Sequence, residues 1–329
     1  MTIAETVAGG DLDALVRLVD GLCSSRDWPG VVELRDRCQH ALERGLQLWP
    51  AAEYAEYRLA LHAPAEFAGP VVVDDAGRFA LGPLWEVAAS THPWSEIAGH
   101  IPPGPARAMA AHERVLRGED LTGEGSVDGM ILEIPLRLEA FEPRYETAVF
   151  RSDEADFPSP APPSLDLVDL PGPVHATDES EGVEALLELG RTWAEQSNGE
   201  VTAVAVAGVA LQAVAAMGVT ACRASPLSGA EAMAWMAWAG ASGGAYGRRR
   251  GGPAGRFAAW WAVAALAGLD WPTPADEVAA ALDDLEWWLW EPDDAVAGWS
   301  LRLAVADPTD GLAWALNAFD SFKDEDQLE

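Results

Sequence analysis

Lysine is nearly missing from this chain. One residue, Lys323, stands beside twenty arginines and 53 acidic residues, and the formal net charge is −32. Such a surface repels nucleic acid and anionic membranes over most of its area, which excludes both as partners. Cysteine is scarce as well. Cys23, Cys38 and Cys222 form neither a pair at metal-ligand spacing nor an even framework for disulfides, a pattern that fits free thiols in a reducing cytoplasm. The first fifteen residues lack a basic region followed by an apolar one, so no signal peptide is read there. Disorder of the whole chain is excluded, because 49% of residues are hydrophobic and a sizeable core is available.

Catalytic and cofactor signatures are missing too. GASGG around Ser242 matches G-x-S-x-G, but a nucleophile elbow needs a strand before the serine and a histidine later. A helical run precedes Ser242, and no histidine follows His175. The nearby glycines lack dinucleotide-fingerprint spacing, and no Lys-Ser or Lys-Thr pair supplies a phosphate loop. His92, His100 and His112 with Glu113 are the only histidine grouping of note. Their spacing does not put two imidazoles on one helical face, and no metal site is read from them. No cofactor and no catalytic residue is therefore assigned.

What the chain does have is tryptophan and a run of arginines. Eleven of its fifteen Trp lie from Trp193 onward, and so many tryptophans imply a thick aromatic core, an aromatic-lined groove, or both. Residues 1–122 read as stacked short helices: Asp11 and Asp27 are N-caps, and Pro50, Pro93 and Pro105 each open a helix. Residues 71–81 read as a small hairpin. Residues 123–329 read as an α+β, Trp-rich part, giving a predominantly α-helical protein of two domains. Alternation in ILEIPLRLEAF and RYETAVF, with Glu142-Pro143 between, predicts a second hairpin. Residues 156–173 are Pro-rich and read as a surface linker. The uncharged run 201–222 contains Gln212, and it reads as a buried helix, or helix plus short strand, rather than a membrane span. Asp178 with Glu181 and Ser228 with Glu231 resemble capping pairs, and Thr273 caps a helix opened by Pro274. LEWWLWE and WSLRLAVA alternate like strands, which puts Trp288 and Trp290 on one face and Trp287 on the other, all in the core. A last helix is expected from Asp307 to about Phe322.

The candidate site lies at 240–256. Arg248, Arg249, Arg250 and Arg256 crowd onto the start of a helix opened by Pro253, with Tyr246 beside them. That helix end already carries positive partial charge, so the guanidiniums need an anionic partner. Carboxylates of the chain itself, such as the nine acids between Arg256 and Arg302, or of a partner or second subunit, meet this need. The protein is then a non-catalytic interaction or regulatory protein. A second reading gives the loop an anionic small molecule bearing phosphate or carboxylate. A third makes the chain an acidic inhibitor of a basic protein such as a toxin.

Overall fold

The structure is a computed structural model, and it describes residues 2–74, 76–77, 80–172, 174–293, 295 and 297–322. The chain is 45% helical and 15% strand, an α+β fold in which helix predominates. It separates into two compact units. The first holds Met1–Ile131 and Thr147–Phe157, the second Leu132–Glu146 and Pro158–Glu329.

The first unit is built from α1 (Ile3–Gly9), α2 (Leu12–Ser24), α3 (Trp28–Ala41), α4 (Trp49–His62), α5 (Ala65–Ala68), α6 (Leu84–Thr91), α7 (Trp94–Ile97) and α8 (Pro105–Leu116), with a two-strand pair β1 (Val149–Phe150) and β2 (Ala155–Asp156). Local chemistry sets the starts. Asp11 Oδ1 accepts from Ala14 N at 3.1 Å, Asp27 Oδ1 accepts from Gly30 N at 3.1 Å, and Pro105 occupies the first turn of α8. Apolar residues at helical spacing, including Leu15, Val19, Leu34, Cys38, Leu59 and Val87, are fully or nearly fully buried. The expected hairpin over 71–81 is not formed among the described residues. A short 3-10 turn, Gly69–Val71, leads into that stretch instead; residues 75, 78 and 79 lie outside the described residues.

The second unit is a six-stranded antiparallel sheet with helices on its faces. Its strands are β3 (Asp166–Val168), β4 (Glu200–Ala207), β5 (Cys222–Leu227), β6 (Glu286–Pro292), β7 (Trp299–Asp307) and β8 (Leu312–Asp320), in the order β3-β5-β6-β7-β8-β4. Its helices are α9 (Glu181–Gln196), α10 (Ala210–Ala216), α11 (Gly229–Ala241), α12 (Gly252–Leu266) and α13 (Ala275–Asp284). Side chains alternate small and large along the central strands. Ala304, Ala306, Ala313 and Ala315 join Trp290, with Trp288 partly buried, in one cluster with α10. Trp287 is buried too, and its indole donates to Leu282 O at 3.2 Å. Both faces are covered, so the strands read as nearly continuous apolar runs.

Two sequence expectations fail here for physical reasons, and two are refined. The segment predicted as a final helix is β8. Asp307 Oδ1 accepts from Thr309 N at 2.7 Å and from Asp310 N at 3.2 Å, and Gly311 takes φ +66, so the chain turns back as a hairpin. The hairpin centred on Glu142-Pro143 is not formed: residues 131–146 are irregular, because Pro135 and Pro143 withhold ladder donors and the neighbouring carbonyls are used elsewhere. The described part of the Pro-rich stretch 156–173 is mostly exposed and irregular, but Asp166–Val168 within it form the edge strand β3 paired to β5. The uncharged run 201–222 holds most of β4 and then α10, the helix-plus-strand alternative, with the strand first. Two caps shift as well. Glu179 rather than Asp178 accepts from Gly182 N, at 2.9 Å, and Thr273 donates to Asp270 O while Pro274 takes the cap position. The Ser228–Glu231 capping box forms as expected. No helix among the described residues is long and apolar enough to cross a membrane.

Candidate functional site

The arginine-rich stretch connects α11 to α12. Ser242 ends α11 and its Oγ accepts from Gly244 N at 3.1 Å, so the serine caps a turn. The loop is tied down by its own backbone. Arg250 N and Gly251 N both donate to Ala241 O, at 2.8 and 3.1 Å. Ala245 N donates to Asp320 Oδ2 at 2.6 Å, Tyr246 N to Ser197 Oγ at 3.0 Å and Arg248 N to Gln196 Oε1 at 3.4 Å. Gly244 sits at φ +71, and a Cβ on it would overlap Asp320 Oδ2, so glycine is required there on two counts. Gly251 enters α12 at φ +91.

The sequence-predicted residues separate into two groups. Arg256 is fully buried and bound to Glu142, whose side chain is likewise fully buried. Its Nη2 donates to Glu142 Oε1 at 2.6 Å and its Nε to Oε2 at 2.7 Å. The remaining donors reach Pro135 O at 2.8 Å and Arg137 O at 2.7 Å. Glu142 is saturated in turn. It accepts from Trp260 Nε1 at 3.0 Å, from the Tyr145 hydroxyl at 2.9 Å and from Glu139 N at 3.0 Å. This bidentate fork inside a closed hydrogen-bond network is the geometry that makes a buried ion pair tolerable. Burial alone pushes the Glu142 carboxyl upward, but the bonds and charge of Arg256 outweigh it, and the group lies below its ordinary value. Burial, followed by the Glu142 charge, holds the Tyr145 hydroxyl well above its ordinary value.

Arg250 also finds a carboxylate of the same unit: its Nη1 lies 3.2 Å from Glu188 Oε1 on α9. Arg249 is half-buried. Arg248 is exposed, and Tyr246 is 54% exposed. Tyr246 packs edge-on against Phe322 at 5.4 Å between centroids, and Phe322 packs edge-on against Trp299 at 5.1 Å. Tyr246, against its aromatic neighbours, and Arg248 are thus the exposed members of the loop, while Arg256 sits in the core.

Sequence reasoning anticipated that arginine needs an acid, but it looked to the nine acids after Arg256. The partner is Glu142, 114 positions earlier. Pro135 inside the alternating pattern was the signal that this segment was not a strand. Nothing in one sequence pairs Glu142 with Arg256 at that separation. Among the nine acids, Glu291 is occupied elsewhere and receives Arg302.

His112 and Glu113 are buried on α8, and Glu113 pairs with Arg117 at 2.8 Å, one helical turn on. Among the described residues no group of three or more His, Cys, Asp or Glu stands close enough to hold a metal ion. Cys23, Cys38 and Cys222 are free and buried.

No curated protein and no solved structure matches this chain. A family profile does match, over residues 13–321, and so spans both units. The chain belongs to that family, described as a family of unknown function (DUF6183).

Proposed function

We propose that this is a non-catalytic interaction or regulatory protein that engages a carboxylate-bearing protein surface through the outer side of its arginine loop, at Tyr246 and Arg248. The observation that carries this reading is the division of the loop. Arg256 and Arg250 meet acids of their own unit, while Arg248 is exposed and Tyr246, also exposed, packs on Phe322, which packs on Trp299. Arginine and aromatic residues are the types enriched at the energetic centres of protein interfaces, and this loop exposes one of each.

The geometry favours a protein partner over a small phosphate. Phosphate cradles use unpaired backbone N–H groups. Here the N–H groups of Gly244, Ala245, Tyr246, Arg248, Arg250 and Gly251 are all bonded to protein acceptors. The three free, buried cysteines accord with work in the reducing cytoplasm.

The test is site-specific photo-crosslinking in the native cell. A photoreactive phenylalanine analogue replaces Tyr246, or replaces Val209, an exposed position of the same unit. A discrete adduct from position 246, absent from 209 and lost with Arg248→Glu, is expected. Light scattering on the purified chain shows whether the adduct is a second copy. Equal labelling from both positions overturns the reading. So does a rise in melting temperature with inorganic phosphate that Arg248→Ala abolishes, since a ligand specific to the folded state must stabilise it.

A further inference from the structure

The sheet of the second unit has two edges, and they are built differently. The β3 edge is guarded. It is three residues long, Pro158, Pro160, Pro162 and Pro163 precede it, and Asp166 and Asp169 place charge at its ends. Short length, proline and charge are the devices that keep a free edge from pairing with another strand. The β4 edge has none of them. Its eight residues, EVTAVAVA, contain no proline, glycine or lysine, and its single charge is Glu200 at the start.

Even-numbered residues of β4 turn their backbone groups toward β8, and odd-numbered ones turn theirs outward. The outward groups are occupied at both ends. Thr177 N donates to Ala205 O at 2.9 Å, where Ala176 bridges Val206, and Gly199 N donates to Trp193 O at 3.0 Å. Between these lie the N–H and C=O groups of Val201 and Ala203. No hydrogen bond reaches these four groups among the described residues. Val201 and Ala203 are half-buried, whereas Ala318 and Leu316, their neighbours on β8, are fully buried. Helix α9 adds an apolar flank. Val183, Leu187, Gly190 and Ala194 fall at i, i+4, i+7 and i+11, one stripe of the helix. A Cβ on Gly190 would meet Val201, so the stripe runs on the β4 side, while Glu188 turns away to Arg250. Val183 and Leu187 are half-buried, and Ala194 is exposed.

We propose that a second copy of this chain pairs antiparallel along β4, with the twofold axis at Thr202. Val201 of each copy then exchanges two hydrogen bonds with the partner's Ala203. Four bonds form, and every free group of the edge is used. An axis at Val201 or Ala203 would instead call on Gly199 N or Ala205 O, which are already bonded. The free groups are thus arranged symmetrically about Thr202, which is what a self-complementary surface requires and a foreign strand does not. The register also sets Glu200 opposite the partner's Val204, so like charges do not face each other. Four backbone bonds contribute little net stability by themselves. The α9 flanks of the two copies meet along the same seam and add apolar burial.

The experiment uses the full chain. Light scattering at micromolar concentration should give twice the mass of one chain, and added salt should strengthen the pair, because both copies carry the same sign of charge. Thr202 is exposed, so Thr202→Lys should keep the circular dichroism of the parent while two ammonium groups on the axis drive the chain to monomer. Ala203→Pro, which removes one donor per copy, should weaken the pair roughly tenfold or more. Cysteine substitution reads the register directly, since the native cysteines are buried. Across the axis the two Cα atoms at 202 stand about 4.5 Å apart, within disulfide reach, and those at 200 about 14 Å apart. Thr202→Cys should therefore crosslink on oxidation and Glu200→Cys should not. Arg248→Glu should leave the mass unchanged. A monomeric parent, a dimer that survives Thr202→Lys, or equal crosslinking from 200 and 202 overturns the proposal. So does a pair that salt dissociates or that Arg248→Glu abolishes, since the contact would then be one of opposite charges at the arginine loop.

Discussion

Arg248 and Arg256 are the same residue in one short stretch of chain, and the fold treats them as opposites. Arg256 has exchanged water entirely for a carboxylate fork and two carbonyls, whereas Arg248 keeps its side chain in solvent and commits only its backbone N–H. The difference is made by what each segment can reach. A helix start repels a guanidinium unless an anion stands against it. Around Arg256 the irregular segment 132–146 supplies that anion together with the carbonyls that finish the network. The lesson concerns charge clusters in general: membership in one does not assign a common role, and burial separates structural members from available ones.

The contrast can be broken most severely at its buried end. Arg256→Ala leaves Glu142 buried without its counter-charge and should cost about 3–5 kcal/mol in denaturant unfolding. In a Glu142→Gln background the same substitution should cost clearly less, because the two share one network. A loss within the ordinary scatter of surface substitutions would mean that the pair is not holding the segment.

Acid sharpens the same point. The Glu142 carboxyl is depressed in the folded chain. Its contribution is therefore complete above the ordinary carboxylate range and is lost as pH falls through its folded value. Glu142→Gln should lower stability at neutral pH and flatten the further loss on acidification, as read from melting temperatures between pH 7 and 3. A variant that loses stability as steeply as the parent would place the acid sensitivity elsewhere.

Effects shrink toward the outer side of the loop. Gly244→Ala forces a side chain into left-handed backbone against Asp320 and should cost about 1–3 kcal/mol. Arg250→Ala breaks a half-exposed pair with Glu188 and should cost about 1 kcal/mol or less. Arg248→Ala should stay within about 0.5 kcal/mol of the parent. If Arg248 proved as costly as Arg250, the division of the loop on which the proposed interface rests would be lost.

Much of the helical scaffold was legible because its signals are local. Asp11, Asp27, Ser228 and Pro105 each announce a helix start within four residues, and each does so in the structure. Strands β6 and β7 were legible from alternation and turn residues. Strand β8 was not, because a central strand buried on both faces lacks the polar phase that marks period two, and LAWALNAF then resembles a helix. The site was half legible. Electrostatics required an acid for the arginines, and that requirement is physical. The identity of Glu142 depends on a meeting of residues far apart in sequence, for which a single chain leaves no trace. The open edge of β4 was invisible for the same reason, since only the strand order puts β4 at the rim of the sheet.

The threading of the chain has a practical consequence. Leu132–Glu146 belongs to the second unit, although Thr147–Phe157, which follows it, belongs to the first. A protease cut or truncation that keeps only residues after 157 would carry Arg256 away without its carboxylate and leave an uncompensated guanidinium in an oily interior. The Trp-rich half is thus not separable as one continuous peptide, and limited proteolysis should release it as two pieces that stay bound, with the shorter one anchored by Glu142.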